Sequence, residues 1–133
     1  MPSTMPISCR CAQALRGATP PQEGCMSVSK AFAMFMREAP AVAGAWRGVA
    51  DALDGSGALD GKTAELAYIA VLAATGNSSG IPFHVLSAKA QGASRQEVLS
   101  AVLVGLPAAG AVVIGALPAA LEAYDGNDQQ SLA

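Results

Sequence analysis

Two side chains stand apart from a background that offers little other chemistry. Between Ala64 and Phe83 the only charged residue is Glu65, and the only histidine of the chain, His84, follows that stretch directly. Nine apolar residues, Leu66 to Ala74, come after Glu65, so a helix through them would carry the carboxylate into an apolar interior. A carboxylate there is costly unless it is paired or hydrogen-bonded. The one imidazole of the sequence is the partner available to it. Glu65 and His84 are therefore expected to meet across two packed helices and to line one pocket.

Other uses for both groups have to be weighed. Lys62 lies one turn before Glu65 and could pair with it at the surface, and Tyr68, at i+3, could donate a hydrogen bond to it. A lone histidine is commonly a satisfied structural residue. Two features point instead to a site. His84 falls in the first turns of a helix, where free N–H groups favour anions, and Gly80, one turn earlier, would leave space for a ligand. Ser78 and Ser79 flank the same place. The candidate catalytic residues are Glu65 and His84, and the candidate substrate-binding residues are Tyr68, Asn77, Ser78, Ser79, Gly80 and Ile81. A Ser-His-Glu triad lacks the strand-turn-helix context of a nucleophile elbow, and Ser79 is better suited to capping.

The elements that must hold these groups read as helices throughout. Ser29 can cap a helix over 30–39, with Phe32, Phe35 and Met36 as anchors and Met34 widening their stripe. Pro40 stops it and opens a second helix over 41–53, where Val42, Ala45, Trp46, Val49 and Leu53 recur at helical spacing. After the loop Asp54-Gly55-Ser56-Gly57, Asp60 caps a central helix over 61–75, which Gly76 ends. Ser79 is expected to cap a fourth helix over 80–91, with Pro82 in its first turn and Gly92 at its close. Ser94-Arg95-Gln96-Glu97 forms a capping box for a fifth helix over 95–104. Gly105-Leu106-Pro107 marks a bend before a last helix over 108–124, which Pro118 should kink or split. No strand pattern appears, so the fold class is all-α, a bundle of about six helices. Residues 1–25 read as a loosely docked or disordered arm, 26–126 as the helical domain and 127–133 as a frayed tail. Met26 is a candidate natural start.

Composition bounds the rest. The chain has 133 residues, of which 52% are hydrophobic and only 14% charged, and its mean hydropathy is +0.37. That is too apolar for an ordinary soluble monomer, so much of the surface is expected to be buried in a homo-oligomer. A membrane is the rival reading, because no charge occurs from Val98 to Leu121. Its prolines and glycines, and the lack of flanking basic residues or an aromatic belt, favour close-packed helices and no membrane. A net charge of −2 and aromatics at 5% give neither a basic footprint nor stacking platforms, so no nucleic acid is expected. Cys9, Cys11 and Cys25 are odd in number and irregular in spacing. They suggest incidental thiols in a reducing cytoplasm, with neither a disulfide framework nor a metal site, and no cofactor is implied.

Taken together, Leu59-Asp60-x-Lys62-Thr63-x-Glu65-Leu66, then His84, then Gly92-Ala93-Ser94-Arg95-x-Glu97-Val98 resembles the carboxymuconolactone decarboxylase and alkylhydroperoxidase D family over residues 30–124. The resemblance implies an all-helical fold assembling as trimers or hexamers, with the site near subunit contacts. In the peroxidase branch a Cys-x-x-Cys precedes the histidine by one turn and follows the glutamate by twelve residues. Here Glu65 and His84 match, but Asn77 and Gly80 occupy the two thiol positions. Peroxiredoxin-type activity is therefore disfavoured, since no thiolate can form there. The decarboxylase branch, a lyase, does without those cysteines. It implies a small organic acid, lactone or related carbonyl compound as substrate, His84 as acid/base with Glu65 as its orienting partner, and donors at Gly80 and Ile81 for a carboxylate or enolate oxygen. A non-catalytic ligand-binding or scaffold oligomer on the same fold is the alternative. Arg47 and Lys89 are the cations that could assist a charged substrate.

Overall fold

Prolines and glycines punctuate the helices that the computed structural model describes over residues 28–126. The expected arm over 1–25, with its three cysteines, and the tail over 127–133 lie outside the described residues. Contacts divide the chain into two units, one through Ala58 and one from Leu59 on.

The first unit holds α1 (Lys30–Glu38) and α2 (Pro40–Ser56). Ser29 Oγ accepts the Phe32 N–H at 3.2 Å, which satisfies a donor that the first helical turn leaves open. Pro40 lies in the first turn of α2, where its missing N–H costs nothing. Met36 and Ala43 are buried, whereas Val42, Trp46, Val49 and Leu53 remain exposed along α2.

The second unit carries the core. Its elements are α3 (Gly61–Ala74), a 3₁₀ turn (Ser78–Gly80), α4 (Ile81–Ala90), α5 (Arg95–Leu103), α6 (Leu106–Ala109), a second 3₁₀ segment (Gly110–Ala116) and α7 (Leu117–Asp125). Helix α3 packs on α4 and α5, α7 packs on the same two helices, and the second 3₁₀ segment packs on α3, α5 and α7. Ile69, Ala73, Ile81, Val85, Ala88, Val98, Val102, Val113 and Ala120 are fully buried between them. Apart from Ile69 and Ile81 these are valines and alanines. Each buried valine or isoleucine contributes about 1.5–3 kcal/mol relative to exposure.

Helix boundaries follow the capping chemistry. Asp60 Oδ1 accepts the Thr63 N–H at 2.8 Å at the start of α3. At its end Gly76 takes a φ of 72°, which a residue with a Cβ adopts only under strain. The Asn77 N–H then reaches back to Leu72 O and the Gly76 N–H to Ala73 O, the paired bonds of a Schellman ending. Helix α4 ends the same way: Gly92 has a φ of 93°, Ala93 N–H bonds to Ala88 O and Gly92 N–H to Lys89 O. Ser94 and Glu97 exchange both bonds of the capping box.

One expectation needs correction and a second is made specific. Ser79 does not cap α4: Gly80 takes that position, and Ser79 Oγ donates instead to Asn77 Oδ1 at 3.1 Å, inside the tighter 3₁₀ turn. The last helix is split, the outcome Pro118 allowed, and it breaks earlier than that proline. Gly110, with a φ of 77°, ends a short α6, a 3₁₀ segment follows, and Pro118 sits in the first turn of a separate α7. The apolar run from Arg95 to Asp125 is long and apolar enough to cross a membrane by length and composition, and little of its most apolar window is buried.

Candidate functional site

Glu65 enters the core because α3 turns it there. It shares a buried face with Ile69 and Leu72, at i+4 and i+7, and only 1% of its surface is exposed. Its two oxygens are both held from α4. Oε2 lies 2.8 Å from His84 Nδ1, and Oε1 accepts the Ser87 hydroxyl proton at 2.8 Å. His84 and Ser87 are one turn apart, so α4 grips the carboxylate with two side chains from one face. Ser87 is itself 2% exposed.

The proton position follows from the inventory of donors and acceptors. A carboxylate only accepts, so in the neutral ring the 2.8 Å contact assigns the proton to Nδ1 and the lone pair to Nε2. No described residue is hydrogen-bonded to Nε2, and the His84 side chain remains 20% exposed. One nitrogen is anchored to a buried acid and the other is available to a reacting molecule, the arrangement general acid/base chemistry needs.

Aromatic rings frame the imidazole. The Tyr68 ring lies against it, with centroids 4.2 Å apart and planes 36° apart, and Phe83 meets it edge-on at 5.1 Å. Tyr68 thus touches the site in a different way from the one its i+3 spacing suggests: it stacks on His84 and does not donate to Glu65. Lys62 turns away as well. Its Nζ lies 3.0 Å from Glu97 Oε1, which leaves Glu65 to the imidazole.

The other candidates divide. Ile81 is fully buried, and its N–H donates to Ser78 O, so it is no free donor for an oxyanion. The Asn77 N–H is spent on Leu72 O. Asn77, Ser78 and Ser79 are exposed at the turn into α4, with the Asn77 and Ser79 side chains bonded to each other. Gly80 does not face open space, since a Cβ there would stand 3.4 Å from Leu72 Cδ1. Lys89 is tied to Tyr124, with Nζ bonded to the carbonyl oxygen and lying 4.7 Å from the ring centroid. Arg47 belongs to the first unit. Ser87 was missed by sequence reasoning, although its place three residues after His84 on the same face was the signal for it.

The exposed charges at the helix ends form a separate group. The Thr63 backbone N–H, followed by its hydroxyl, holds Asp60 below the ordinary carboxylate range. The Ser94 backbone N–H and then Lys62 do the same for Glu97. Arg95 lowers Asp125 through two hydrogen bonds and is itself raised by them. None of these touches the Glu65–His84 pair.

A family model described as carboxymuconolactone decarboxylase family matches residues 40–123. The chain belongs to the carboxymuconolactone decarboxylase family. That match spans most of the described helices, both Glu65 and His84, and the all-helical fold agrees with it. No curated protein and no solved structure matches the chain. Within the family the chain lacks thiols at Asn77 and Gly80, and no group of three or more histidine, cysteine or acidic side chains suited to a metal occurs among the described residues.

Proposed function

We propose that this member of the carboxymuconolactone decarboxylase family is a small-molecule enzyme acting on an organic acid, lactone or related carbonyl compound. His84 Nε2 is its acid/base, and Glu65 fixes the ring and stabilises the imidazolium. The observation that carries the reading is the 2.8 Å contact between His84 Nδ1 and a carboxylate that is buried and held at its other oxygen by Ser87. Such a pair is costly as mere core filling, and an apolar pair of similar volume would serve stability as well or better. In the forward direction Nε2 takes a proton from carbon next to a carbonyl, and the electron pair moves onto the carbonyl oxygen as an enolate. In the decarboxylation variant Nε2 first takes the proton of the substrate's carboxylic acid, the carbon–carbon bond supplies the electron pair as carbon dioxide leaves, and the imidazolium passes that proton to carbon.

The working form is a cytoplasmic homo-oligomer, a trimer or hexamer. Support comes from Val71, Val104, Val112 and Ile114, large apolar side chains that stay exposed in the second unit. Turnover is measured on a panel of lactones and β-keto acids. His84→Ala and Glu65→Gln should each abolish it while circular dichroism and sedimentation stay those of the parent. Undiminished turnover in both variants excludes the assigned roles.

A further inference from the structure

Resting on that acid/base reading, we propose that Tyr68 is a further catalytic residue: its hydroxyl donates the hydrogen bond that holds the substrate's carbonyl oxygen as charge develops there. Chemistry at His84 Nε2 leaves an electron pair on that oxygen, and a donor fixed beside it is commonly the largest single contribution to rate. The backbone group expected to serve, the Ile81 N–H, is bonded to Ser78 O. The phenol beside the imidazole is a donor of the right kind in the right place.

The two tyrosines of the chain use their hydroxyls differently. Tyr124 donates to Ala93 O at 2.9 Å and ties α7 to the turn before α5. The Tyr68 hydroxyl is bonded to none of the described residues, and 41% of the residue is exposed. Its ring is fixed all the same, one turn along α3 from Glu65 and stacked on the imidazole with centroids 4.2 Å apart. Nδ1 faces the buried Glu65, so Nε2, across the imidazole, faces away from the core. A half-exposed tyrosine carries its polar tip the same way. The phenol oxygen and Nε2 thus open on one side of the stacked pair, near enough for one small carbonyl compound to meet both. Its α-carbon would lie at Nε2 and its oxygen at the phenol. The donor is in place before the reaction and need not be reorganised during it.

The step balances without a co-reactant. A C–H bond next to the carbonyl breaks, an N–H bond forms at His84 Nε2, and the electron pair moves onto the carbonyl oxygen, where it strengthens the hydrogen bond from Tyr68. The phenol keeps its own proton, and reversal returns the other to carbon. Where a carbon–carbon bond supplies the pair as carbon dioxide leaves, the same oxygen takes the charge, so Tyr68 serves either route. Glu65 and Tyr68, neighbours on α3, then stabilise the two ends of one charge separation, the imidazolium and the enolate.

The test uses the full chain with p-nitrophenolate and nitrobenzene as probes. The first presents, on a flat ring, the oxyanion that an enolate would present, and the second lacks that oxygen. Because His84 is the only histidine, its ring resonances report binding of either probe without assignment. Tyr68→Phe keeps the stacked ring and removes the donor. It should weaken p-nitrophenolate about tenfold or more while nitrobenzene binding and the unliganded His84 resonances stay those of the parent. On the lactones and β-keto acids that the parent turns over, it should lower kcat by about 100-fold or more with KM little changed. Undiminished phenolate affinity in Tyr68→Phe, equal losses for the two probes, or no binding of the phenolate by the parent overturns the proposal. The acid/base reading fails separately. Turnover that survives His84→Ala removes that reading and leaves Tyr68 a binding residue alone, whereas full turnover in Tyr68→Phe with none in His84→Ala removes only the phenol.

Discussion

Glu65 and Glu97 are two glutamates with the same number of side-chain partners and opposite consequences. Glu97 stands at the rim, half exposed, receiving the Ser94 backbone N–H and the Lys62 ammonium. Water would replace either partner, so the arrangement shapes a helix end and little else. Glu65 stands in the interior with Ser87 on one oxygen and His84 on the other. Nothing replaces those partners when they are removed. Burial and the kind of partner together turn a similar bonding pattern from a cap into a device that holds an imidazole in place.

The contrast breaks most visibly at Glu65. Glu65→Ala strips two buried donors of their acceptor and leaves a cavity, and it should cost about 2–4 kcal/mol in urea unfolding. Glu65→Gln keeps the volume and one acceptor but no charge to stabilise an imidazolium, so it should cost less while still removing acid/base function. A Glu65→Ala variant as stable as the parent would mean that the interior carboxylate is not held as described.

Ser87 sharpens the comparison. Ser87→Ala leaves Oε1 of a buried carboxylate without a donor and should destabilise by about 1–3 kcal/mol, whereas Ser94→Ala at the rim should cost about 1 kcal/mol. The more telling readout is the lone histidine. With Ser87 gone the carboxylate is free to rotate, so nitrogen shifts of the neutral His84 ring should move away from a pure Nδ1–H tautomer. Ser87→Thr, which keeps the hydroxyl, should restore them. An unchanged tautomer in Ser87→Ala would reduce Ser87 to packing.

Local chemistry made much of this legible before any coordinates. Ser29, Asp60, Ser94 with Glu97, Gly76, Gly92 and the first-turn prolines act through their nearest neighbours, so spacing alone marks the helix ends they make. The meeting of Glu65 and His84 was legible for a different reason: a carboxylate alone in an apolar run needs a partner, and one histidine was available. What stayed hidden depends on competition between partners. Tyr68 could donate to Glu65 by spacing, yet two α4 side chains already fill both carboxylate oxygens, and its ring stacks on His84 instead. Ser79 is a good cap by type, but a 3₁₀ turn places Gly80 at the helix start. Ser87 is marked only by its spacing from His84, since a hydroxyl beside Leu86 and Ala88 does not itself name the acceptor it faces. Pro118 announces a break in the final helix but not its first position, which depends on Gly110 taking a positive φ that its flanking alanines do not announce.

The smallest effect is expected at the rim, and acid exposes it. Asp60, Glu97 and Asp125 are each held below the ordinary carboxylate range, by the Thr63 N–H, the Ser94 N–H and Arg95 in turn. A group whose folded value is depressed adds stability above its unfolded value, near pH 4, and loses it as pH falls further. Thermal midpoints followed by circular dichroism should therefore be level from pH 7 to about 5 and decline below that. Asp60→Asn combined with Glu97→Gln should start lower and decline less steeply, since two of the three titrating groups are gone. Because all three side chains are exposed, added salt should weaken the contributions from Lys62 and Arg95 while leaving the backbone caps in place. An acid limb that keeps its full slope in the double variant would remove Asp60 and Glu97 as its source.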